Sequence, residues 1–122
     1  MGIEFGSDRW RKIKANHAGW WRGELDRPLL PITVAGRRDP GRSKPDVPLL
    51  SQATCHDLSW TPEEIVDRID YELSTCVFYG DAFPFVNMHC FGPGVAGAFL
   101  GAELDNSTGR VWFHPPSDAS IQ

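Results

Sequence analysis

The stretch from Gly80 to Gly101, GDAFPFVNMHCFGPGVAGAFLG, constrains this chain more than any other. It opens on a glycine able to end a helix and continues through the apolar segment Phe85-Val86-Asn87-Met88-His89-Cys90. Phe91-Gly92-Pro93-Gly94 then turns the chain into a short helix of small residues that closes at Leu100-Gly101. A strand, a glycine turn and a helix start in succession gather free backbone N–H groups and strand-end side chains in one place. That is where α/β proteins hold their ligands.

The elements before and after this stretch fit the same architecture. An N-terminal amphipathic region covers residues 1–25, with Ser7 as a cap and a helix from about Asp8 to Gly23. In it Trp10, Ile13, His17, Trp20 and Trp21 recur at helical spacing, as expected of a face that docks on a core. Its basic first turn, with Arg9, Arg11 and Lys12, opposes the helix dipole. Ile32 to Ala35 reads as a buried strand, and residues 36–58, dense in Gly, Pro and charge at their start, as a mobile loop. Thr61-Pro62-Glu63-Glu64 is a capping box: a threonine cap, proline at the first helical position and glutamate three residues after the cap. The helix it starts is expected to run to about Tyr79, burying Ile65, Ile69, Leu73, Cys76 and Val77. Asn106-Ser107-Thr108-Gly109 turns the chain into Val111-Trp112-Phe113, and residues 115–122 form a loose tail. Strands alternating with helices predict parallel pairing through right-handed crossovers.

Composition narrows the function classes. A net charge of -4 gives no electrostatic reason to expect nucleic acid as a partner. No apolar run approaches the roughly 20 residues that span a bilayer, and no signal-like segment opens the chain, so the cytoplasm is the expected compartment. Cys55, Cys76 and Cys90 are an odd number with no CxxC pair, which argues against a disulfide framework. Five tryptophans in 122 residues add an unusual load of bulky apolar surface.

Four segments together, WWRGELDRPLLPITV, YGDAFP, FGPGVAGAFLGA and RVWFHP, resemble the N-terminal part of the uroporphyrinogen decarboxylase-like family. They span most of residues 10 to 116. The family comprises (β/α)8 barrels, among them decarboxylases of the haem pathway and corrinoid-linked methyltransferases. The resemblance therefore implies an α/β fold in which residues 1–122 are one partial-barrel domain, the first βα units of a TIM barrel that is incomplete as it stands. Such a barrel takes about 250 residues. The implied function is that of a decarboxylase-like protein of unassigned substrate, inactive alone and acting on a small molecule once its barrel is completed. The other reading is a non-catalytic binding or interaction module derived from that fold.

Where the decarboxylases carry a substrate-holding aspartate at the end of the second barrel strand, this chain has Asn87, His89 and Cys90. The zinc-binding His-x-Cys pair of the methyltransferases is likewise missing. Asp81 precedes the strand and reads as a turn or capping residue. On an extended Phe85 to Cys90, Asn87 and His89 share one face and become the candidate catalytic pair, His89 because imidazole titrates near neutrality. Gly92 and Gly94 are candidates for a ligand-cradling turn, and Arg37 and Arg38, with Arg42, for holding an anion. Cys55-His56-Asp57 and His89-Cys90 make poor chelates because adjacent side chains on an extended chain diverge, so neither metal nor cofactor is expected. Open strand edges and uncovered tryptophans predict a homo-oligomer, or a partner chain supplying the missing strands.

Overall fold

The computed structural model describes residues 2–116. Of the tail expected over 115–122, residues 117–122 lie outside the described residues. Helix α1 spans Ser7–Trp21, strand β1 Pro31–Val34, helix α2 Pro62–Ser74 and strand β2 Val77–Gly80. A 3-10 turn at His89–Phe91 precedes helix α3, Val95–Phe99, and strands β3, Glu103–Asp105, and β4, Trp112–His114. The chain sorts into two compact units, one of residues 1–46 and 66–86, the other of 47–65 and 87–122.

The expectation of βα barrel units is overturned in the first of these. β1 and β2 pair antiparallel, with Pro31 opposite Gly80 and Val34 opposite Val77. The cause lies at the end of α2. There the Ser74 and Thr75 hydroxyls donate to the Asp70 and Glu72 carbonyls, and only Thr75 and Cys76 separate helix from strand. Thr75 also anchors the chain just past β1: its carbonyl accepts from the N–H groups of Arg37 and Arg38, and its hydroxyl from that of Gly36. β2 therefore begins where β1 ended and must run back along it. The second sheet is again an antiparallel pair, β3 with β4, with no parallel strands among the described residues.

Two element boundaries also move. The helix expected to reach Tyr79 stops at Ser74, because Val77-Phe78-Tyr79 is β-branched and aromatic and takes the strand. Phe85 to Cys90 is no strand: residues 85–88 carry no regular structure and His89 opens the 3-10 turn. Pro84 offers no N–H to a ladder, and Gly92-Pro93-Gly94 closes the segment from the other side. Residues 36–46 are irregular, as expected, but are pinned to α2. Arg42 pairs with Asp67 at 2.7 Å and Asp70 at 3.0 Å, and the Pro45 carbonyl accepts from Arg68.

The cores are small. In the first unit Cys76, Phe78 and Ala82 form a buried cluster on which Ile3, Phe5 and Leu73 pack. In the second, Val47, Cys90 and Val111 are the buried apolar residues. α1 docks through the first part of its expected stripe, with Trp10 and His17 edge-on to Phe83, and leaves Trp20 and Trp21 exposed. Ile13 and Gly19 are its buried residues, while Trp21 is 83% exposed. Trp10 contacts Phe5 and Phe83 edge-on, and its N-cap is Gly6, with no bond from Ser7.

The capping box at α2 forms as its residue types require. The Glu64 carboxylate accepts the Thr61 N–H at 2.8 Å, and the Thr61 hydroxyl accepts the Glu64 N–H at 3.3 Å. The Thr61 N–H first, then the Thr61 hydroxyl, both donating to the carboxylate, hold the Glu64 carboxyl below its ordinary range. Thr61→Ala is expected to lower stability by about 1 kcal/mol in urea unfolding, the usual effect of a lost cap. Gly80 is far less replaceable. Its φ of +57° is left-handed, and a Cβ there would run into the Leu30 carbonyl oxygen. Gly80→Ala is expected to cost at least about 2 kcal/mol, visible as a lowered Tm by circular dichroism.

Candidate functional site

The structure places each residue on which sequence reasoning set chemistry. The Asn87 side chain accepts the backbone N–H of His89 at 3.1 Å, so it shapes its own turn. The imidazole of His89 is exposed and has no partner among the described residues. Gly92 adopts φ +71° and its backbone packs on Val111, where an added Cβ would lie 3.5 Å from that side chain. At Gly94 a Cβ would come within 2.8 Å of the Phe113 ring. Gly94 is thus required by close packing against Phe113, and Gly92 by its left-handed turn. Arg37 and Arg38 belong to the first unit. Arg38 is engaged by Glu4 at 2.8 Å and by the Ser74 carbonyl, while Arg37 is tied through its backbone to Thr75.

Among the described residues no three His, Cys, Asp or Glu side chains group to hold an ion. His56 meets the Asn106 amide at 2.8 Å, and the Cys55 thiol donates to the Gln52 carbonyl. Burial pushes both the Cys55 and the Cys90 thiols up, and Cys55 adds to the shift at Cys90. Such thiols are poor nucleophiles at neutral pH.

The polar convergence of the first unit lies at Asp81, a residue read from the sequence as a turn or cap. It is 1% exposed. Its Oδ1 accepts from Asn16 Nδ2 and Arg27 Nη2, both at 3.0 Å, and its Oδ2 from Arg27 Nη1 at 2.7 Å and the Leu30 N–H at 2.9 Å. The Asp81 N–H donates to the Leu30 carbonyl, and its own carbonyl accepts from His17 Nε2 at 3.2 Å. A carbonyl cannot donate, so the His17 proton sits on Nε2. Arg27 first, then the Leu30 N–H, hold the carboxyl far below its ordinary range, against the desolvation that would raise it. Asp81 thereby joins two separate segments, WWRGELDRPLLPITV through Arg27 and Leu30, and YGDAFP through itself. A carboxylate so fully bonded is a fastener and neither an acid nor a base.

Exposed apolar side chains are the other marked feature. In the second unit Phe99 and Leu100, adjacent at the end of α3, are 88% and 87% exposed, and Leu104 on β3 and Trp112 on β4 are exposed as well. In the first unit Pro31, Thr33, Ala82, Phe83 and Phe85 line an apolar groove of about 220 Å3 beside β1. No helix of the described residues is long and apolar enough to cross a membrane. Among known proteins the chain matches no family model, no curated protein and no solved structure.

Asp81 contributes to the acid behaviour. Its folded carboxyl is depressed, so its contribution is full above the unfolded value of about 4 and is lost as pH falls through the lower folded value. Asp81→Asn should cost about 2 kcal/mol at pH 7, in the range of hydrogen bonds to a charged group discounted for the half-exposed Arg27. It should also flatten the fall in stability below pH 4. Urea melts of both proteins at pH 7 and pH 3 check this; parallel pH profiles would refute it.

Proposed function

We propose that this chain is a non-catalytic interaction module whose exposed apolar surface is covered by a second copy of itself. The observation that carries the reading is the near-complete exposure of Phe99 and Leu100 beside a two-stranded sheet that also exposes Leu104 and Trp112. Monomeric proteins rarely leave contiguous apolar surface of this kind to water. β3 and β4 pair only with each other among the described residues, so each keeps one open edge. An open edge is self-complementary. Two copies of the same strand can pair antiparallel about a two-fold axis, which sets the apolar side chains of one copy against those of the other.

A decarboxylase-like activity is the second reading, and its support is the sequence resemblance. Its named groups, Asn87 and His89, stand exposed, with the Asn87 amide engaged locally. A small-molecule substrate is therefore assigned only to an assembly that adds further catalytic groups. The reading places the protein in the cytoplasm, where three unpaired cysteines remain reduced.

Light scattering behind a sizing column at micromolar concentration tests the module. The expected species is a dimer or larger, and Phe99→Glu with Leu100→Glu should shift it toward monomer while the far-ultraviolet dichroism is kept. A sharp unmutated peak at 13.6 kDa with cooperative melting would remove the reading.

A further inference from the structure

We propose that a groove in the first unit, between one face of α1 and the Arg27–Asp81 pair, binds a small doubly charged oxyanion. The groove is about 470 Å3, within the size of ligand pockets, roughly 300–1,000 Å3. Asp8, Arg9, Lys12 and Asn16 line it from α1, at the spacing that puts them on one side of a helix, and Arg27 and Asp81 line it from across.

Its charge is unbalanced in favour of an anion. Both carboxylates are already occupied, Asp8 by Arg11 and Asp81 by the two-point bond from Arg27. Lys12 has no partner among the described residues. The Arg9 guanidinium lies 5.5 Å from the centre of the Phe5 ring, an arrangement that leaves its N–H edge open. Arg27 bonds through Nη1 and Nη2 to Asp81 and the Pro28 carbonyl, which leaves its Nε–H unengaged. Three cationic donors from two segments thus border one cavity in a protein whose overall charge is -4.

Arg9 sits in the first turn of α1, where the helix dipole disfavours positive charge, and a bound anion beside it offsets that penalty. The loop arginines do not compete for it: Arg38 is held by Glu4, and Arg42 by Asp67 and Asp70. Compact oxyanions of charge two, a phosphate group or a short dicarboxylate, match the donors, with one oxygen on Lys12 and others on Arg9 and Arg27 Nε.

The test titrates the full chain calorimetrically with inorganic phosphate and, separately, with succinate at fixed ionic strength. At least one should saturate a single site, with Kd on the order of millimolar for so small a ligand. The stronger of the two distinguishes a phosphate from a dicarboxylate. Lys12→Glu, and the milder Lys12→Gln if the first disturbs folding, should weaken it by roughly tenfold or more, as loss of a charged donor does. Lys14→Glu, the same charge change on α1 outside the groove, should leave it unchanged. Absence of saturable binding by either anion, or equal weakening by the Lys12 and Lys14 variants, would overturn the site.

Discussion

A buried carboxylate must find partners for its charge and for its lone pairs, and Asp81 meets that demand by tying together three separate stretches of chain, its own included. Asn16 comes from α1, Arg27 and Leu30 from the segment leading into β1, and the aspartate itself follows β2. The first unit has little else of comparable strength, since its buried apolar cluster is Cys76, Phe78 and Ala82. A core so small cannot by itself dictate where α1 lies. The directional bonds at Asp81, with His17 on its carbonyl, do that work and fix the helix face turned toward β2. Gly80 completes the arrangement, because only a residue without a side chain lets the backbone pass the Leu30 carbonyl and place Asp81 beneath it.

What could be read beforehand follows from the range of the forces involved. The Thr61 capping box is written in four consecutive residues and forms as written. α1 and β1 fall within a few residues of their expected places because periodicity and β-branching are also local signals. The parallel pairing was misjudged because alternation of helix and strand carries no information about direction. Direction is set by how abruptly α2 gives way to β2, a matter of two residues at Thr75 and Cys76. Phe85 to Cys90 misled for a different reason: apolar content says that a segment seeks burial, whereas Pro84 and the glycines that follow decide that it cannot join a ladder. The role of Asp81 was illegible because its partners lie 51 to 65 residues away.

The residues singled out beforehand as site candidates show the same limit of local signals. Glycines at a turn look alike whether they approach a phosphate or a neighbouring side chain, and Gly92 and Gly94 approach Val111 and Phe113. Arginines in an irregular segment look available until their counter-ions are seen, and Arg38 and Arg42 are committed to Glu4, Asp67 and Asp70. The cations left over are on α1, where the tryptophan spacing draws attention to packing and away from charge.

The first unit is discontinuous along the chain: residues 1–46 are completed by 66–86, with 47–65 belonging to the other unit. During synthesis α1 must therefore emerge and wait, since Asp81 follows Asn16 by 65 residues. At the usual pace of translation, about 5–20 residues per second, that delay is several seconds, far longer than a helix needs to form or fray. In that interval Ile13, buried in the folded chain, and Trp10, which later packs on Phe83, are open to water on an unanchored segment, a state that chaperones recognise and that favours premature association. The order in which the ribosome delivers these residues thus makes the newborn chain more vulnerable than the finished one.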